Sequence, residues 1–184
     1  MEKDTKTHLS VTTRTLHWTV GLLLLSLLAV GIYMTETKAY GLYGLHKSVG
    51  LIALILVIAR SIWRVSNGFP RAISSQGKWL DGLAKTVHWL LLITALVMPL
   101  SGALMSWLGG HGLALFSVEL VPANLDANSG KSTPINGQLA GVFASIHSLV
   151  GYLLTLGVVL HIVGAFKHHF INKDRTLIRM VFGK

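Results

Sequence analysis

Cysteine is absent from the 184 residues of this chain, and only seven residues are acidic. Without cysteine the protein has no disulfides, no thiolate-ligated iron–sulfur cluster and no C-x-x-C-H site for covalent haem attachment. Charged residues make up 12% of the chain and hydrophobic residues 52%, a balance that excludes an ordinary soluble domain. Metal chemistry in this protein must therefore use histidine, of which there are nine.

Four apolar segments are each long enough to cross a bilayer, which requires roughly 20 helical residues. They predict an all-α, integral membrane four-helix bundle in which residues 1–184 form a single membrane domain. We expect the first segment to be retained, because no small-x-small cleavage site follows it. The spans lie at about 16–34, 45–63, 86–108 and 142–166, and residues 109–141 form a long outer loop that caps the bundle.

Lysine and arginine are distributed unevenly between the connecting segments. Thirteen of the sixteen basic residues lie before the first span, in or after the last turn of the second, or after the fourth. The positive-inside rule then predicts that both termini are cytoplasmic. Topology explains the net charge of +9 without nucleic-acid binding. The thirteen are Lys3, Lys6, Arg14, Arg60, Arg64, Arg71, Lys78, Lys85, Lys167, Lys173, Arg175, Arg179 and Lys184.

The fourth span contains two histidines, His147 and His161, inside an apolar run. Fourteen helical residues correspond to about 21 Å along the axis and leave the two side chains about 40° apart around it. The two histidines therefore lie on one stripe at two depths. An ionisable side chain in a membrane span is costly and indicates a functional site.

Glycine accompanies four of the intramembrane histidines, four residues away toward the membrane centre. A glycine leaves room beside a helix for a flat macrocycle or for a close partner. His88 has Leu92 at the corresponding position. The four combinations are His17 with Gly21, His46 with Gly50, His147 with Gly151, and His161 with Gly157.

Depth in the membrane pairs His17 with His161 on the cytoplasmic side, and His46 with His147 on the outer side. Two neutral imidazoles at each level favour haem iron over zinc, since structural zinc needs four protein ligands and catalytic zinc usually three. The chain thus predicts two noncovalent haems, each with its iron bound by two histidines. Interhelical hydrogen bonding by the same histidines is the alternative interpretation.

Six stretches of the sequence form a recognisable set: LHW at 16–18, HKSVG at 46–50, ARSIWR at 59–64, IHSLVGY at 146–152, LHIVGAFKHHF at 160–170 and KDRTLIRM at 173–180. Together they resemble the prokaryotic cytochrome b561 family. The resemblance implies a multi-pass cytochrome of the bacterial inner membrane that carries two b haems and exchanges electrons with quinone. Some members are superoxide oxidases, which imply superoxide as the donor and ubiquinone as the acceptor of this oxidoreductase.

Two further side chains are candidates for the electron donor and acceptor sites. Lys47 follows a predicted ligand on the outer face, where its charge would attract a small anionic donor; a simple interfacial lysine is the alternative. His168 lies seven residues after His161, about 20° from its stripe, and is placed to bind or protonate quinone. Alternatively, His168 forms an interfacial basic cluster with His169. For His88, too, both a functional role and a purely interfacial one remain open.

Haem propionates would be neutralised near the membrane faces by basic side chains. Two other functions remain open. A haem-bearing membrane anchor would pass electrons between quinone and a partner dehydrogenase. A histidine-based transporter of metal cations would need carboxylates inside the spans, and no acidic residue lies there. The predicted propionate partners are Lys47 outside and Arg14, Lys78, Arg175 or Arg179 inside.

Overall fold

The computed structural model describes residues 4, 5, 7–70 and 72–184. Lys3, Lys6 and Arg71, which contribute to the predicted orientation, lie outside the described residues. The fold is mostly helical. Its elements are α1 (Val11–Thr37), a 3-10 turn (Tyr40–Leu42), α2 (Tyr43–Asn67), α3 (Lys78–Leu108), β1 (Leu113–Leu115), β2 (Val118–Val121), α4 (Gly137–Phe166), a π-helical turn (Lys167–Ile171) and α5 (Thr176–Phe182).

Helices α1 to α4 are each long and apolar enough to cross a membrane, so the predicted four-helix architecture is confirmed. Each helix extends beyond the predicted span, because the capping residues lie outside the apolar run. The Ser10 hydroxyl accepts a hydrogen bond of 3.2 Å from the Thr13 amide at the start of α1. Gly68 ends α2 with a φ of 75°, a conformation that favours glycine.

The four long helices follow one another around the bundle. Helix α2 packs between α1 and α3, and α3 has its most extensive contact with α4. The buried centre is apolar and comes from three helices, so side-chain burial stabilises the middle of the bundle. It consists of Val20, Leu24, Ala53, Val57 and Ala95.

Large apolar side chains also cover the outside of the bundle. Exposed residues of this kind occur on all four long helices, in the middle of each span, where a soluble protein would have polar groups. The chain is therefore embedded in lipid, as the sequence predicts. Examples are Leu22, Ile55, Ile93, Leu156 and Val159.

The outer loop contains a β-hairpin that the all-α prediction missed. Strands β1 and β2 are antiparallel, with Ala114 opposite Glu119, and their three and four residues are too short to show an alternating pattern in the sequence. Ser48 near the start of α2 holds the hairpin: its hydroxyl donates to the Ala114 carbonyl at 3.2 Å and accepts from the Phe116 amide at 2.8 Å. The loop thus lies on α2.

The two ends of the chain meet at one end of the bundle. The Leu9 amide donates to the Gly183 carbonyl at 3.0 Å. The Arg14 guanidinium donates to the Val181 carbonyl at 2.9 Å. Trp18 Nε1 donates to the Met180 carbonyl at 3.1 Å. Helix α5 is therefore fastened to the start of α1, on the side opposite the hairpin.

Candidate functional site

Near the end of the bundle where the termini meet, His17 of α1 faces His161 of α4. Their ring centroids are 5.9 Å apart. Two imidazoles that bind one metal ion from opposite sides have ligating nitrogens about 4 Å apart, since each metal–nitrogen bond is about 2.0–2.1 Å. Ring centroids lie farther apart than those nitrogens, so the observed separation suits a shared metal.

A third histidine, His88 of α3, lies next to this pair. Its ring centroid is 5.4 Å from that of His161, with the rings nearly perpendicular. His88 Nδ1 donates to the Ala84 carbonyl one turn earlier, at 2.6 Å. Phe69, in the connection between α2 and α3, packs edge-on against the His88 ring, with the two ring centroids 6.2 Å apart.

At the other level, His46 of α2 and His147 of α4 line one crevice between the helices. The free volume of the crevice is about 70 Å³. Its wall is otherwise mainly apolar. Gly50, Pro99, Gly102 and Leu154 are among the residues that form it.

Hydrogen bonds from α3 fix the orientation of the His147 ring. Nδ1 donates to the Met98 carbonyl at 2.9 Å, and the Ser101 hydroxyl lies 3.3 Å from the same nitrogen. A proton held on Nδ1 leaves Nε2 as the ligating atom, which is the usual arrangement of a metal-bound histidine. A Cβ at Gly102 would lie 2.9 Å from His147 Cε1, so only glycine leaves the ring in this position.

His46 is surrounded differently. A Cβ at Gly31 would lie 3.4 Å from its Cε1 atom, and within the described part of the chain its buried Nδ1 atom has no hydrogen-bond partner. The neighbouring Lys47 is partly buried and lines the same crevice. Its ammonium lies 3.4 Å from the Ser106 hydroxyl, a weak contact that leaves most of its charge available to an incoming anion.

The four glycines singled out from the sequence fall into two groups. A Cβ on Gly21 or Gly50 would have no neighbour within 4 Å, so both leave open space beside a histidine-bearing helix. A Cβ on Gly151 would meet Met98 at 3.4 Å, and one on Gly157 would meet Leu91 at 3.1 Å. Gly151 and Gly157 therefore allow α3 and α4 to approach each other closely.

His168 lies beyond α4, at the end of the bundle where the termini meet. Its Nδ1 is 2.6 Å from Asp174 Oδ2. The same carboxylate oxygen accepts from the Ser74 hydroxyl at 2.7 Å, and Oδ1 accepts from the Thr176 amide at 2.9 Å. His168 thus belongs to a histidine–carboxylate pair that joins the connection after α2 to the C-terminal segment.

The surroundings of Asp174 keep it ionised. Burial raises the pKa of this carboxyl group, but hydrogen bonds from Thr176, His168 and Ser74 together lower it well below its usual range. An ionised carboxylate next to an imidazole orients the ring and holds its Nδ1 proton. His168 lies in a π-helical turn at Lys167–Ile171, whereas the predicted 20° offset assumes a regular α-helix.

The residues present fit a haem better than a bare metal ion. In the described part of the chain, no group of three or more His, Asp or Glu side chains could hold a metal ion. Instead, His17 faces His161, and His46 and His147 line one apolar crevice. Gly21 and Gly50 leave open space on the helices that carry His17 and His46. Iron in a macrocycle needs only two axial protein ligands.

Several residues at these sites were not predicted from the sequence. Gly102 has no histidine at a spacing of four, because the histidine that it accommodates is on another helix. Arg60, whose Nη2 lies 3.4 Å from His17 Nδ1, was counted only for topology. Asp174 is within the KDRTLIRM stretch, so the resemblance did carry a signal for it.

Four membrane-spanning helices with opposed histidines between them define a class, the membrane-embedded b-type cytochromes. Comparison with known proteins identifies the family. The chain belongs to the prokaryotic cytochrome b561 family, whose family model matches residues 8–183. The resemblance described from the sequence is thereby confirmed.

Curated relatives agree with this assignment. The chain is 30% identical to cytochrome b561 homolog 2 of Escherichia coli strain K12 over 170 residues, covering 90% of this chain and 86% of the relative. It is 24% identical to the probable superoxide oxidase CybB of Yersinia pestis over 137 residues, covering 74% and 73%. Cytochrome b562 of Cereibacter sphaeroides is 27% identical over 177 residues, covering 91% and 90%.

Membership of the family settles the general role. The protein is a multi-pass electron-transfer protein of the bacterial inner membrane, in contact with lipid, and the family binds haem b. This role argues against the transporter interpretation.

Proposed function

We propose that this protein is a superoxide:ubiquinone oxidoreductase with two b haems per chain. The observation that supports this most directly is the stacking of two histidine pairs between Lys47 at one end of the bundle and the His168–Asp174 pair at the other. In this proposal both termini are cytoplasmic, and the hairpin end faces the periplasm. The described basic residues near the termini agree with that orientation.

His17 and His161 hold the inner haem, and His46 and His147 hold the outer one. When bound, the haems supply one-electron redox chemistry between the two faces of the membrane. Because two histidines would hold each iron, the haems would carry electrons rather than bind oxygen. Met98 and Ser101 fix the ring of His147, whereas Gly21 and Gly50 provide space beside α1 and α2.

Lys47 would attract the donor. Its ammonium is partly buried on the crevice that His46 and His147 line, where a reduced dielectric strengthens its attraction for an anion. Superoxide is a small anion that can give up an electron without binding to a metal. The name of the Yersinia pestis relative, a probable superoxide oxidase, supports this donor.

His168 would serve the acceptor. Two superoxide ions and two protons convert one ubiquinone into ubiquinol and two molecules of oxygen, so the inner site must deliver protons. Asp174 holds the Nδ1 proton of His168 at 2.6 Å and leaves Nε2 to exchange a proton with the quinone. The side chain of His168 is 25% exposed, so it can be reprotonated from water.

Purified protein in liposomes that contain ubiquinone tests this function. Superoxide from a xanthine oxidase system should produce one ubiquinol for every two superoxide ions consumed, and superoxide dismutase should abolish ubiquinol formation. The control variant is His111→Ala, which removes a histidine of the outer loop that lies outside both pairs and should leave ubiquinol formation unchanged. Ubiquinol formation that persists in the presence of dismutase would contradict the proposed donor.

A further inference from the structure

Arg60 is a guanidinium inside a membrane span, next to a proposed haem ligand. It lies in α2, one face of which packs on α1, and its Nη2 atom is 3.4 Å from His17 Nδ1. A charge in a membrane span is costly unless it has a partner. Among the described residues, Arg60 forms no ion pair.

The carboxylate that contacts Arg64, one turn after Arg60 on α2, is already engaged. Asp4 accepts from the Thr13 hydroxyl at 2.8 Å and from the Ser10 amide at 2.9 Å. Its carboxylate also lies 3.4 Å from the Arg64 guanidinium. Asp4 is therefore the counter-charge of Arg64, and Arg60 needs a different anion.

The contact between Arg60 and His17 is incompatible with iron ligation through Nε2. A guanidinium only donates hydrogen bonds, so His17 Nδ1 must accept and the ring proton must be on Nε2. A neutral histidine that ligates a metal through Nε2 carries its proton on Nδ1. His147 and His88 both show that arrangement, with Nδ1 donating to the carbonyls of Met98 and Ala84.

We propose that Arg60 leaves His17 when the inner haem binds and pairs with one of the haem propionates. A carboxylate matches the planar guanidinium and supplies the charge that the protein lacks there. Arg14, one of the side chains expected to do this, donates to the Val181 carbonyl. The inference rests on the proposed binding of haem by His17 and His161.

Redox potentiometry and infrared difference spectroscopy of the purified holoprotein test the proposal in Arg60→Gln and Arg60→Lys. Loss of the positive charge in Arg60→Gln should lower the midpoint potential of the inner haem, because ferric haem is then disfavoured less. It should also shift the propionate bands and speed inner-haem dissociation about 10- to 100-fold, as expected for one charge-assisted hydrogen bond. Lys85→Gln, an exposed position on α3, controls for charge alone.

Arg60→Lys should restore most of the potential but not the propionate bands, because lysine keeps the charge and loses the planar pair of donors. If Arg60→Gln retains the inner haem with unchanged potential and propionate bands, the inference is overturned. If Arg60→Gln loses the inner haem, the test depends on Arg60→Lys. Propionate bands in Arg60→Lys that equal those of the wild type then overturn the inference as well. His17→Ala distinguishes a failure of this inference from a failure of the proposed function. An intact inner haem in that variant contradicts the proposed function itself.

Discussion

Gly102→Ala tests whether α3 positions His147 as the structure indicates. A Cβ at residue 102 would lie 2.9 Å from Cε1 and 3.1 Å from Nδ1 of His147. Ordinary contacts begin near 3.4 Å, so the ring must move away by about half an ångström, and the 2.9 Å hydrogen bond to the Met98 carbonyl is disturbed with it. The substitution thus perturbs one ligand without changing its chemistry.

Gly82→Ala is the matched control because Gly82 is exposed on the same helix and a Cβ there would have no neighbour within 4 Å. Replacing glycine by alanine in a helix ordinarily stabilises by about 0.5–1 kcal/mol. Overpacking at a filled position costs about 1–3 kcal/mol. We therefore expect Gly102→Ala to be less stable than Gly82→Ala by about 1–3 kcal/mol.

Haem content and visible spectra complete the assay. In Gly102→Ala the outer haem should be lost or converted partly to a high-spin form, while the inner haem keeps its spectrum. Gly82→Ala should retain both haems. If Gly102→Ala has the haem content, spectrum and melting temperature of Gly82→Ala, then the placement of His147 against α3 is refuted.

The remaining predictions concern the histidine pairs and the C-terminal segment. Alanine at either member of a pair should remove one haem and leave the other, as counted by pyridine haemochrome; losing both haems would refute the pairing His17/His161 and His46/His147. His168→Ala should leave the haem spectrum intact and slow haem reoxidation by ubiquinone at least tenfold in stopped-flow experiments; loss of a haem would make His168 a ligand instead. Because the folded pKa of Asp174 is lowered, its contribution to stability is present above its unfolded pKa of about 3.9 and is lost as the pH falls through the lower folded value. Thermal melts should accordingly show Asp174→Asn less stable than the wild type at pH 7, with the difference shrinking below pH of about 4; a constant difference would contradict this.

The helices and the depths of the histidines could be predicted because they depend on local patterns. A run of about 20 apolar residues can only span a membrane as a helix, and spacing along one helix gives relative depth directly. The same reasoning brings His147 and His161 onto one stripe. The helix ends required caps such as Ser10 and Gly68, which lie outside the apolar runs.

Contacts between helices could not be predicted in the same way. Gly102 and Met98 surround the ring of a histidine 45 residues or more away in sequence, and nothing at those positions signals a partner on α4. Arg60 looked like one topological charge among many, although it lies beside His17. The π-helical turn at Lys167–Ile171 has no signal in the apolar pattern, which does not distinguish it from a regular helix.

Stopped-flow haem reduction after a pulse of superoxide tests the central claim most directly. We predict that the reduced b-haem band appears faster than superoxide dismutates and that dismutase abolishes it. The rate should fall as added salt shortens the Debye length from about 30 Å to about 8 Å, and Lys47→Glu should lower it further with both haems retained. Haem reduction no faster than spontaneous dismutation would contradict superoxide as the donor.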